Sequence, residues 1–119
     1  PTKTMIKKTQ ALAAIAALLI AGCASVETTS YKVIGVTTVS VDAAMNGWGD
    51  YVRAGKATFD NESAVRSAYG QYQAAMRTAQ AALQAYQAGK DKATLNRALD
   101  VLDAMKNALI NQIVKAKQP

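Results

Sequence analysis

The chain has no histidine, one cysteine, two prolines and one each of tryptophan and phenylalanine in 119 residues, and aromatics make up 6%. Without histidine it lacks the commonest general base near neutral pH and the commonest zinc or haem ligand. A single cysteine closes no intramolecular disulfide and builds no thiolate cluster. Glycine-rich phosphate loops, metal-spaced clusters and nucleophile elbows are missing as well. Most enzyme classes are therefore disfavoured, and the expectation is a protein that is not an enzyme and takes no cofactor. The length suits one domain, since domains typically run about 100 to 150 residues.

What is present begins with charge. Fourteen basic against eight acidic residues give a formal +6, which invites a nucleic-acid reading until its distribution is examined. Lys3, Lys7 and Lys8 crowd the first eight residues, and an uncharged apolar run from Ala11 to Ala21 follows, ending in Gly22 and Cys23. A basic n-region, an apolar h-region of about 7 to 15 residues and small residues at the cut site make up a secretory signal. The run is too short for a membrane span, which needs about 20 apolar residues.

Ile20-Ala21-Gly22-Cys23 resembles the lipobox of bacterial lipoproteins, in which a branched aliphatic, two small residues and an obligatory cysteine close the h-region. The resemblance implies that residues 1–22 are a lipoprotein signal peptide with Met5 as the natural start. It also implies that Ile20, Ala21 and Gly22 are recognised by the signal peptidase, and that Cys23 carries a thioether-linked diacylglycerol and an N-acyl chain. Two or three acyl chains exceed the single-chain case, where attachment is marginal and reversible. Ala24, not aspartate, follows the cysteine, which by the enterobacterial sorting pattern favours the outer membrane, facing the periplasm, over the inner membrane. The plain alternative is a buried Ala-rich helix with a small core cysteine; it leaves the joint order of charge, apolar run, small residues and cysteine unexplained.

Cleavage after Gly22 leaves 97 residues, with 11 basic and 8 acidic side chains, a formal +3. Arg53, Arg66, Arg77 and Arg97 are dispersed, so no nucleic acid is expected as partner. The expected partners are membrane lipid through Cys23 and an unidentified envelope protein.

Residues 23–40 are rich in Thr, Ser and Val, which favours extended backbone, and one strand without a mate is not stable. The expectation is a lipidated extended tether able to span roughly 55 Å. The helical domain is expected over 41–119. Val41, Met45, Trp48 and Val52 recur at three and four, which predicts a short helix starting at a Ser40 or Asp42 cap and stopping at Gly55 in the left-handed conformation.

The next apolar series is Val65, Tyr69, Tyr72, Met76, Ala79, Leu83 and Tyr86, widened by Ala68, Ala75 and Ala82. It predicts a helix from about Asp60 to 88, ended by a left-handed Gly89. Asp91 then caps a last helix over 91–116 with Leu95, Leu99, Leu102, Met105, Leu109 and Ile113 on one face. So short a connection makes the two helices antiparallel neighbours, Ala-rich against Leu-rich. The fold class is all-α: signal helix, tether, and a short helix packed on a long helical hairpin, a small three-helix bundle.

Asp100 and Asp103, three apart, could pair as carboxylates, but Arg97 and Lys106 lie at ion-pairing distance along the helix and account for them. Gly47-Trp48-Gly49 with Tyr51 is the most unusual local sequence. Trp48 and Tyr51 are candidates for partner contact, since tryptophan is enriched at binding hot spots. Alternatively Trp48 anchors the short helix, with Leu99 and Ile110 as its expected neighbours, and its spacing from Met45 and Val52 favours this. A thin hairpin is expected to offer little concavity. The functional expectation is a small membrane-anchored envelope lipoprotein acting as a structural or interaction module. A phage-derived lipoprotein for lysis or superinfection exclusion and a periplasmic enzyme inhibitor are the alternatives.

Overall fold

The computed structural model describes the backbone of residues 2–89 and 91–119 and the side chains of residues 26–89 and 91–119. The residues expected to form a signal peptide, with Ile20, Ala21, Gly22 and Cys23, lie outside the described side chains. The fold is all-helical, with α1 at Thr2–Arg53, α2 at Phe59–Gly89 and α3 at Lys92–Ala116.

Helices α2 and α3 form because their apolar residues keep a seven-residue period over several turns. On α2 Val65, Ala68, Tyr72, Ala75, Ala79, Ala82 and Tyr86, spaced alternately by three and four, are all buried or half-buried, and Leu83 is buried beside them. On α3 the same alternation runs through Leu95, Ala98, Leu102, Met105 and Leu109, and Ile113 and Ala116 extend the seam. Such spacing keeps one face turned to a neighbouring helix, with side chains seated between those opposite. Leu95, Leu102, Leu109 and Ala79 are fully buried. The alanines let the α2 backbone approach closely while the leucines of α3 fill the space between. The predicted Ala-against-Leu seam is present. Tyr69, Met76 and Leu99, expected on the buried faces, are half-buried at its margins, and Met105 is half-buried within it, whereas Ala98 and Ala116 sit inside. Arg66, Gln73, Arg77, Asn96, Arg97, Asp100, Asn107 and Asn111 lie on the exposed sides.

The helix ends follow from local chemistry. Asp91 caps α3 as expected: its carboxylate accepts from the Thr94 amide at 3.1 Å and from the Thr94 hydroxyl at 2.7 Å. At α2 the cap is Thr58, whose hydroxyl oxygen accepts from the Asn61 amide at 3.1 Å, so the helix begins slightly before Asp60. Gly55 is left-handed with φ 73°, and it closes α1 as expected. The Gly55 amide bonds the Val52 carbonyl at 2.9 Å and the Lys56 amide bonds the Tyr51 carbonyl at 3.3 Å, the double closure of a Schellman motif. Gly89 does not adopt the left-handed turn expected of it; Gly55 is the positive-φ glycine among the described residues.

The extended tether is corrected by the structure. Residues 26–40 are helical, and the short helix anticipated after Val41 is the end of this same α1. Val26, Ser30, Ile34, Thr37, Val41, Ala44, Trp48 and Tyr51 form a stripe repeating by three and four, and each is buried or half-buried. Packing along that stripe overrides the extended propensity of Val and Thr. Ser30 and Thr37 occupy core positions, and these hydroxyls disguise the apolar period. The Ser30 hydroxyl is satisfied within the helix, donating to the Val26 carbonyl at 2.6 Å.

Helix α1 runs antiparallel to α2 and parallel to α3. Gln87 of α2 donates to the Tyr31 hydroxyl at 3.0 Å, and Val26, Thr29 and Ser30 share a small cavity with Lys92, Asn96 and Leu99 of α3. At the other end the Lys117 ammonium lies 3.6 Å from where a Cβ on Gly47 would stand.

Candidate functional site

The concave regions among the described residues include an open groove between α2 and α3 and a cavity at the α1–α2 end, beside which aromatic side chains pair. The larger concavity, about 570 Å³, is an open groove between α2 and α3, lined by Gln71, Ala74, Ala75 and Thr78 from α2 and by Thr94, Arg97, Ala98, Val101 and Met105 from α3. It exists because alanines line its floor where larger side chains would fill it. Its size falls within the range of about 300 to 1,000 Å³ usual for ligand sites. The groove is wide and shallow rather than enclosed. Val101 remains half exposed within it, an apolar wall open to water. The polar groups are the Gln71 amide, the Thr78 and Thr94 hydroxyls and the Arg97 guanidinium, with no carboxylate among them. Such a lining suits binding and gives no general base.

The second concavity, about 310 Å³, lies at the α1–α2 end, among Met45, Trp48, Gly49, Val52 and Arg53 of α1 and Glu62, Val65, Arg66 and Tyr69 of α2. Trp48 is buried and stacks on the half-buried Tyr51 with ring centroids 5.6 Å apart. Trp48 therefore acts first as the anchor of the α1 end, and of the two candidate contacts Tyr51 keeps more of its surface. Of the expected neighbours, Leu99 does not lie beside Trp48. Parallel packing of α1 and α3 sets Leu99 beside Val33, which is about 22 Å along the α1 axis from Trp48 at 1.5 Å per residue. Val65 and Tyr69 of α2 line the same cavity as the indole.

Tyr69 and Tyr72 form a second aromatic pair at 6.0 Å. Burial pushes the Tyr72 phenol above its usual value, opposed by a hydrogen bond with Thr38, while the nearby Asp42 charge adds to the rise. At the opposite end, the side-chain and backbone hydrogen bonds from Thr94 hold the Asp91 carboxyl below its ordinary range, helped by the Arg97 charge.

The carboxylates Asp100 and Asp103 behave as surface groups. Lys106 pairs with Asp103 at 2.9 Å and Asn107 donates to its other oxygen at 3.4 Å, which is the pairing expected of Asp103. Among the described residues no group of three or more potential ligands gathers to hold a metal ion, and no helix is long and apolar enough to cross a membrane. Sequence reasoning missed the α2–α3 groove. The signal was the pair of small residues Ala74 and Ala75 on α2 opposite Ala98 on α3, which leaves a gap where most bundles carry larger side chains. The chain matches no family model, no curated protein and no solved structure.

Proposed function

We propose that this chain is a small envelope lipoprotein, anchored by acyl chains on Cys23, whose three-helix bundle is a binding or structural module and not an enzyme. The observation that carries the reading is the order of Lys3, Lys7 and Lys8, the apolar run and Ile20-Ala21-Gly22-Cys23, followed within three residues by Val26, which packs against the core of the bundle. Membrane attachment then comes from the lipids on Cys23, with the outer membrane as destination. The α2–α3 groove, apolar and open, supports a binding role over that of a plain spacer rod. Among the alternatives, a phage-derived factor uses the same anchor, and an inhibitor uses the same groove.

Labelling with palmitate in a host that processes lipoproteins tests the anchor. Wild type is expected to take up label and lose the signal peptide, while Cys23→Ala takes up none and accumulates as precursor. Equal labelling of the two proteins would overturn the assignment.

A further inference from the structure

The replacement of a tether by helix changes where the domain sits. If residues 23–40 were an extended spacer, the bundle could lie roughly 55 Å from the lipid. Instead Val26 already packs on the core, and Cys23 is three residues before it. Three residues span at most about 11 Å whatever their conformation.

Val26, Thr29 and Ser30 share their cavity with Lys92, Asn96 and Leu99, so the start of α3 belongs to the same end of the bundle. Tyr31 and Gln87, joined by a hydrogen bond, bring the last turns of α2 to that end too. The α1–α2 connection lies at the other end, about 40 Å away, because 27 residues of helix separate Val26 from Arg53 at 1.5 Å each. That far end carries Phe59, which is 79% exposed, and the cavity lined by Trp48 and Tyr69.

We infer that the mature lipoprotein stands directly on the membrane, with the end formed by residues 26–30, the close of α2 and the start of α3 against the lipid headgroups, and the α1–α2 connection pointing away. The partner of this end is the lipid surface itself. The inference rests on the proposed lipidation of Cys23. It makes the bundle a rigid post of fixed height, with Phe59 and the Trp48 cavity at its top and the α2–α3 groove along its side.

The test uses the full chain, expressed in a lipoprotein-processing bacterium, extracted from membranes and reconstituted in vesicles of phosphatidylethanolamine and phosphatidylglycerol. A thioether-bound Cys23 sulfur does not react with maleimide, so Lys92→Cys, Ala93→Cys, Gln73→Cys and Lys56→Cys each present one free thiol for a fluorophore. All four positions are exposed. Agreement of their helical circular dichroism with wild type shows that the fold is kept, and two sites at the near end guard against failure of either. With nitroxide-labelled headgroups in the vesicles, the dyes at 92 and 93 are expected to lose most of their emission. The dye at 73 should lose little and the dye at 56 none. Equal losses at 92 and 56, as for a bundle lying flat, or a greater loss at 56, would overturn the orientation while leaving the anchor intact. Uptake of dye by wild-type Cys23, with protein that does not float with vesicles, would overturn the lipoprotein reading and this inference together.

Discussion

Leu102→Ala measures whether the α2–α3 seam holds the molecule together. Leu102 is fully buried in the middle of α3. Truncation removes three carbons, worth about 2.4 kcal/mol at roughly 0.8 kcal/mol per buried methylene. A cavity term adds to this in proportion to how little the site collapses. Collapse should be poor here, because Ala75 and Ala79 at the α2 core positions and Ala98 on α3 itself have no side chain that can swing into the space. The expected loss is therefore about 3 to 5 kcal/mol, in the upper part of the usual range for leucine truncation. A domain of this size moves by about 4 to 8 °C in Tm per kcal/mol, so melting should fall by well over 10 °C. The measurement is thermal and urea unfolding followed by circular dichroism, on a soluble chain that starts at Ser25. Asn107→Ala, on the exposed side of the same helix, is the control and should stay within about 0.5 kcal/mol. Equal effects of the two substitutions would refute the assignment of faces.

Val36 is 63% exposed on α1, so Val36→Pro removes little packing but breaks the helix, and a loss of about 3 kcal/mol or more in the same unfolding assay is expected; no loss would restore the extended tether. The sole tryptophan, buried at 6% exposure, should emit at short wavelength, resist acrylamide and shift to the red on unfolding, and a water-exposed native spectrum would contradict its packing. Tyr72 has its phenol pushed up by burial, so the folded state holds the proton longer than the unfolded chain does. That contribution is complete below the unfolded tyrosine value of about 10 and is lost as pH rises through the higher folded value. Urea midpoints should therefore fall more steeply with alkaline pH in wild type than in Tyr72→Phe, and parallel pH curves would refute the shift.

How much of this architecture can be read from residues alone depends on which forces act locally. Helices α2 and α3 are legible because everything that defines them is near in sequence. Acidic residues occupy the first turn of α2, Asp91 caps α3 through its own Thr94, Gly55 supplies the left-handed stop of α1, and the apolar series keeps its period without interruption. The antiparallel pairing follows from the short connection between α2 and α3. The first half of the described α1 is not legible in this way. Ser30 and Thr37 stand at core positions among Thr and Val residues, and local propensity there points to extended backbone. Only burial against α2 and α3 makes the helical stripe from Val26 to Tyr51 worth more than that preference. Tertiary structure also decided where Leu99 lies, since the parallel alignment of α1 with α3 places it beside Val33 and away from Trp48, whose cavity is shared with Val65 and Tyr69 of α2. The α2–α3 groove arises in the same manner: each alanine is an ordinary helix former by itself, and a cavity appears where Ala74 and Ala75 meet Ala98 across the helices. Sequence speaks for caps and periods because these are short-range patterns. Register and concavity depend on the volumes of side chains far apart in the chain, and they become definite when the helices pack.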